Sequence, residues 1–135
     1  MPQIFSDILE PNTDLIEDRI NCINKLQKVM EVHINFSPII YHTNWLKEYE
    51  QLFQKLDKYN FKSECIFLTY NNNQYQRNSI EVNNLCWKPD IQEYKNSEYA
   101  NNNIRYQWEL KNNMINDFKH IYSKYFDLST IRYIF

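Results

Sequence analysis

The sequence predicts an α/β fold: a mostly parallel sheet of three to four strands with helices on its outside, forming the last part of a larger sheet. Three observations predict it. Stretches with helical and with β-like patterning alternate along 135 residues. The links between the candidate strands are themselves helical, as crossovers between parallel strands require. The chain also opens on a helix and offers fewer strands than a doubly wound sheet or a closed barrel uses. Its length suits one domain with one core, spanning 1–135.

Residues 2–11 read as an irregular or extended lead. Asn12, Thr13 and Asp14 then offer capping side chains, and Ile16, Ile20 and Ile23 form one stripe of a helix running to about Val29. Val32, Ile34 and Phe36 alternate as in a strand, which is expected to end near Pro38 because proline cannot donate to a ladder. Trp45, Tyr49, Leu52, Phe53 and Leu56 fall on one helical face, the clearest amphipathic signal in the chain. Cys65–Leu68 is a short continuous apolar run, as in a strand buried on both faces. Residues 74–84 form a weaker helix, and Pro89 with the tract Asn96–Asn103 marks loop. Ile104–Trp108 looks extended. Met114, Phe118, Ile121, Tyr122 and Tyr125 make a further helix stripe, and Ile131–Phe135 is a β-prone tail.

Composition narrows the function. Hydrophobic residues make up 43% and aromatics 16%, against disorder, and a net charge of −2 excludes a generally basic nucleic-acid-binding domain. There is no glycine, so a Walker loop and a dinucleotide fingerprint are both excluded. Asparagine is abundant and is the next best residue at left-handed turn positions. Cys22, Cys65 and Cys86 lie too far apart for a zinc site or a disulfide framework and read as reduced thiols. His33, His42 and His120 have no partner at metal-binding spacing. No apolar run is long enough to span a membrane, and the first residues lack a signal-peptide core, so a cytoplasmic protein is expected.

Five strings, in order over nearly the whole chain, carry a resemblance. They are Glu10-Pro11-Asn12-Thr13 followed by Ile16-Glu17-Asp18-Arg19-Ile20; Phe36-Ser37-Pro38-Ile39-Ile40 leading to Trp45; Cys65-Ile66-Phe67-Leu68-Thr69; Arg105-Tyr106-Gln107-Trp108; and Ile131-Arg132-Tyr133-Ile134-Phe135. Together they resemble the C-terminal half of spore photoproduct lyase-like radical SAM proteins. The resemblance implies a partial α/β barrel of the radical SAM type. It also implies a lyase in which a [4Fe-4S] cluster and S-adenosylmethionine generate a radical that returns a thymine dimer in DNA to two thymines. The Cys-x3-Cys-x2-Cys motif that holds the cluster is absent from this sequence. No catalytic residue, metal ligand or cofactor is therefore assigned to this chain, and a separate cluster-bearing half is implied as partner. Tyr70 stands where relatives often carry a histidine.

The resemblance places substrate contacts at Arg105 and Tyr106, in a late hairpin that presses on the lesion. Arginine offers a fork for phosphate, and an aromatic offers a stacking face for an unstacked base. The alternative is that Tyr106 and Trp108 are core packing and Arg105 a solvated charge. Ser37, at the carboxyl end of a strand, is the third candidate, set against a serine that satisfies local backbone. Lys88, Lys95, Arg105 and Lys111 bracket a possible basic lip, but interleaved Asp90, Glu93, Glu98 and Glu109 make solvated surface the simpler reading. The sequence is thus expected to supply the substrate-side part of a DNA-repair lyase, inactive alone. A non-catalytic nucleic-acid or protein-interaction module, or a degenerate fragment, is the alternative.

Overall fold

The computed structural model describes residues 1–94 and 103–135. Helix α1 (Gln3–Leu9) and helix α2 (Ile16–Leu26) lead into strand β1 (His33–Ile39), helix α3 (Trp45–Leu56) and strand β2 (Lys62–Phe67). A short strand β3 (Thr69–Asn71) is followed by helices α4 (Asn72–Arg77) and α5 (Ile80–Cys86). Strands β4 (Gln92–Tyr94) and β5 (Asn103–Tyr106), helix α6 (Trp108–Tyr122) and strand β6 (Ile131–Ile134) complete the order.

The strands form two sheets. One is parallel with order β1-β2-β6, and the other is antiparallel with order β3-β5-β4. The parallel sheet with outer helices is as expected, and it accounts for three of the strands. The antiparallel sheet pairs β5, the extended segment foreseen at Ile104, with β3 and β4, which the residue pattern did not mark.

The core lies on one face of the parallel sheet. Phe36 of β1 packs edge-to-face on Phe53 of α3 at 5.6 Å between ring centroids, and Phe53 does the same on Phe118 of α6 at 5.4 Å. Tyr49, Phe53, Phe118 and Tyr122 are all fully buried, so the stripes of α3 and α6 meet the sheet as their spacing predicts. Buried polar groups in this core are paired. Ser63, with no exposed surface, shares a hydrogen bond with the Tyr122 hydroxyl at 3.0 Å, which reaches Thr130 Oγ1 at 2.7 Å.

Several local expectations are corrected. Residues 3–9 are helical rather than extended, and Gln3 Oε1 accepts the Ile16 N–H at 2.7 Å. The first turn of α2 is thus served from 13 residues upstream rather than by Asn12, Thr13 or Asp14. Asn12 instead takes a φ of 68°, the one positive φ among the described residues, and supplies the turn that glycine would otherwise make. Helix α2 stops at Leu26, leaving Val29 and Met30 exposed. Strand β1 passes through Pro38, with a cis Ser37–Pro38 bond, because the β1–β2 register shifts between Phe36 and Ile39 and the proline sits in that irregularity. Residues 74–84 divide into two helices, the second starting where Ser79 Oγ accepts the Val82 N–H. Trp108 begins α6 rather than ending a strand.

Strand β2 is not buried on both faces. Ser63, Cys65 and Phe67 point into the core, whereas Lys62, Glu64 and Ile66 are half-exposed. The matching face of the neighbouring strands carries His33, Asn35, Arg132 and Tyr133, all exposed. Hydrogen bonds join His33, Arg132 and Tyr133 with Glu64. Arg132 Nη1 lies 2.9 Å from His33 Nδ1 and 3.5 Å from Glu64 Oε1, and the Tyr133 hydroxyl donates to Glu64 Oε2. His33 Nε2 reaches Glu31 at 2.6 Å, so the ring bridges a cation and a carboxylate. Among the described residues no helix is long and apolar enough to cross a membrane.

Candidate functional site

Because β1 and β2 run parallel, their carboxyl ends open on the same rim. A cleft of about 370 Å³ lies there, lined by Ser37 and Pro38 near the end of β1, by Phe67 at the end of β2, by Leu68 and Thr69 just past it, and by Tyr70 and Asn78 beyond. Ser37 is half-buried in its wall. The sequence placed Ser37 at a strand end, and the parallel topology turns that end into a rim.

The far wall is held by a network that sequence reasoning did not find. The Tyr70 hydroxyl donates to Asn83 Oδ1 and accepts from Asn78 Nδ2 at 3.0 Å. Burial pushes the Tyr70 phenol above its ordinary range, so it stays a donor. Helix α4, which carries Gln74 and ends at the C-cap Asn78, starts on a capping box. Asn71 Oδ1 accepts the Gln74 N–H at 2.9 Å, and Gln74 Oε1 accepts the Asn71 N–H at 3.0 Å. An asparagine three residues ahead of a glutamine is the sequence signal for this cap.

Strand β3 links the cleft to the second sheet. Thr69 pairs with Arg105 and Arg105 with Glu93, so these three side chains share one face. Arg105 Nε lies 3.1 Å and Nη2 3.0 Å from Glu93 Oε1, and its guanidinium carbon sits 6.0 Å from the centre of the Trp108 ring. Trp108 is 61% exposed. The opposite face of β5 carries Ile104 and Tyr106 into the core. Tyr106 has no exposed surface, and its hydroxyl accepts the Tyr41 N–H at 2.8 Å. Neighbours on a strand point to opposite faces, so Arg105 and Tyr106 cannot serve one ligand side by side. The exposed ring beside Arg105 is that of Trp108. Of the basic lip, Lys88 donates to the Asn84 carbonyl at 3.3 Å and Lys111 lies on α6, whereas Lys95 and Glu98 fall outside the described residues.

The thiols do not fit an iron–sulfur cluster. Cys22 is exposed, Cys65 and Cys86 are buried, and burial pushes their thiols up to about 12 and about 11. Cluster ligands must be thiolates. Among the described residues, no three His, Cys, Asp or Glu side chains converge on a point where a metal could sit.

Comparison with solved structures bears on what this rim belongs to. A variant of spore photoproduct lyase with bound AdoMet and dinucleoside spore photoproduct superposes on 99% of this chain with a TM-score of 0.82 at 16% identity. Spore photoproduct lyase complexed with dinucleoside spore photoproduct gives the same score, and a further variant of that enzyme gives 0.81 at 17% identity. This chain has the fold of part of spore photoproduct lyase. It spans 42% of the length of those enzymes. No protein-family profile and no curated protein matches the sequence.

Proposed function

We propose that this chain is the substrate-side part of a spore photoproduct lyase-like DNA-repair assembly, holding a thymine dimer for a radical reaction run by a separate cluster-bearing polypeptide. The reading rests chiefly on one observation: 99% of the chain follows an enzyme that has been solved with its dinucleoside lesion, at a TM-score of 0.82. The cleft beyond Ser37 lies at the carboxyl rim, where α/β sheets bind ligands.

In this reading Ser37 faces the lesion from the cleft wall. Arg105 releases Glu93 to meet a phosphate, and Trp108 offers its exposed ring to an unstacked base. Tyr106 supports them from behind, its hydroxyl tying β5 to the Tyr41 backbone. The residues of this chain therefore bind and orient. When loaded elsewhere in the assembly, the cluster and S-adenosylmethionine supply the radical.

Fluorescence anisotropy with an oligonucleotide carrying one spore photoproduct tests the reading. The chain alone should bind it more tightly than the undamaged oligonucleotide, with an affinity that falls as salt rises. Arg105→Ala should weaken binding by roughly tenfold, the effect of one charge-assisted contact. Equal affinity for both oligonucleotides, unaltered by that substitution, would leave an interaction module without lesion recognition.

A further inference from the structure

We infer that the cleft selects thymine by its imide edge, with Asn78 Oδ1 accepting the ring N3–H and Gln74 Nε2 donating to a flanking carbonyl. The inference rests on the proposed function for the class of ligand, and it names the residues that choose the base.

A chain of hydrogen bonds fixes which way the Asn78 amide faces. It starts at a group with no choice. The Tyr75 carbonyl can only accept, so Asn83 turns its amino group to it, at 2.9 Å. Asn83 Oδ1 then faces the Tyr70 hydroxyl and takes its proton. That hydroxyl has a single proton, so the Asn78 atom 3.0 Å away must be a donor, which is Nδ2. Asn78 Oδ1 is thereby turned away from the network. It has no hydrogen-bond partner among the described residues. It is not a sealed atom either, since the buried side-chain atom left unpaired among them is His42 Nε2. Tyr70 itself is buried, which holds the relay in place.

Gln74 is fixed in the same manner. The Asn71 N–H can only donate, so Gln74 Oε1 receives it at 3.0 Å and Nε2 is left as the free end of the amide. The Asn78 N–H bonds to the Gln74 carbonyl at 2.9 Å, so the two side chains leave successive turns on one side of the helix. Both line the cleft of about 370 Å³ beyond Ser37.

One fixed acceptor and one fixed donor, placed as neighbours, define the ligand. The imide edge of thymine carries an N–H between two carbonyls, which is the matching pattern. Cytosine carries a bare ring nitrogen and an amino group along that edge, which is the opposite pattern. It would set a lone pair against Asn78 Oδ1, and a site built around a hydrogen bond rejects the analogue that cannot make it.

Isothermal titration calorimetry with dinucleoside spore photoproduct, and with the same molecule methylated at N3 of both rings, tests the inference. Neither probe carries a phosphate, so Arg105 does not enter. The wild-type chain should bind the unmethylated probe roughly tenfold more tightly, the effect of one hydrogen bond left unmade. Asn78→Ala should erase that preference. Tyr70→Phe keeps Asn78 but frees its amide to turn, so it should reduce the preference, which a packing role of Tyr70 would leave unchanged. Gln74→Glu keeps the oxygen that meets Asn71 and replaces the donor, so it should weaken binding of the unmethylated probe. The preference is a ratio within one protein, so a general loss of stability drops out of it. Should a variant fail to fold, the two probes on the wild-type chain decide. The inference is overturned by equal wild-type affinity for both probes, by a preference that survives Asn78→Ala or is unaltered in Tyr70→Phe, or by unchanged affinity in Gln74→Glu. Failure to bind either probe also overturns it. The proposed function is judged separately, by the lesion oligonucleotide, which Arg105 and Trp108 also engage.

Discussion

Replacing Tyr106 by phenylalanine separates two roles that its position in the chain leaves open. The substitution keeps the ring and deletes a hydroxyl that accepts the Tyr41 N–H at 2.8 Å in a residue with no exposed surface. The Tyr41 amide then loses its partner inside the protein, at a cost of about 1–3 kcal/mol. For a chain of this size that lowers the thermal midpoint by roughly 3–10 °C. Urea unfolding followed by far-ultraviolet circular dichroism should show the lower midpoint with an unchanged slope. Lesion affinity should stay the same, because the ring offers no face to a ligand. Trp108→Ala should behave in the opposite way. It removes an exposed ring at little cost to stability, and losing one stacking contact of about 1–3 kcal/mol weakens lesion binding roughly 5- to 150-fold. A Tyr106→Phe variant with a wild-type midpoint and weakened lesion binding would refute this division of labour.

Phe53 touches Phe36, Phe118 and Tyr122 with no exposed surface, so Phe53→Ala should cost about 3–5 kcal/mol in urea unfolding, and a loss under 1 kcal/mol would contradict the described core. In the native chain a thiol reagent should label Cys22 quickly and Cys65 and Cys86 only after unfolding, since the latter two are buried with thiols pushed up to about 12 and about 11; prompt labelling of all three would refute that placement. Burial holds His42 below the ordinary histidine range, with Glu48 opposing and Lys88 reinforcing the shift. The unfolded chain then binds more protons as pH falls through about 6.5, and the folded state loses stability there. The urea midpoint should therefore drop between pH 7 and pH 5 by more in the wild type than in His42→Gln, and equal drops would contradict it.

Much of the architecture was legible because it follows from periodicity. The stripes of α3 and α6 and the alternation of Val32, Ile34 and Phe36 each name the face that packs, and the parallel sheet follows from helices lying between strands. What escaped was set by contacts distant in sequence. The cap of α2 comes from Gln3, and seven residues at the start were too few to show a helical period for α1. The second sheet is made of three short strands, too brief for alternation to register. The one-sided burial of β2 was hidden because Ile66, an apolar residue, faces the open side. At the site, Ser37 was legible as a strand end. Arg105 and Tyr106 were found together as neighbours in sequence, and the strand then sends them to opposite faces, leaving Trp108, the first residue of α6, as the exposed ring.

The proposed function requires this chain to complete a repair reaction together with a cluster-bearing polypeptide. The direct measurement is conversion of a spore photoproduct-containing oligonucleotide to thymines, with S-adenosylmethionine and reductant, by the chain alone, by the iron-reconstituted segment of spore photoproduct lyase outside the matched part, and by the two together. Turnover only in the mixture, reduced by Arg105→Ala, is the predicted result. Turnover by the segment alone at the same rate, or none in the mixture, would contradict it.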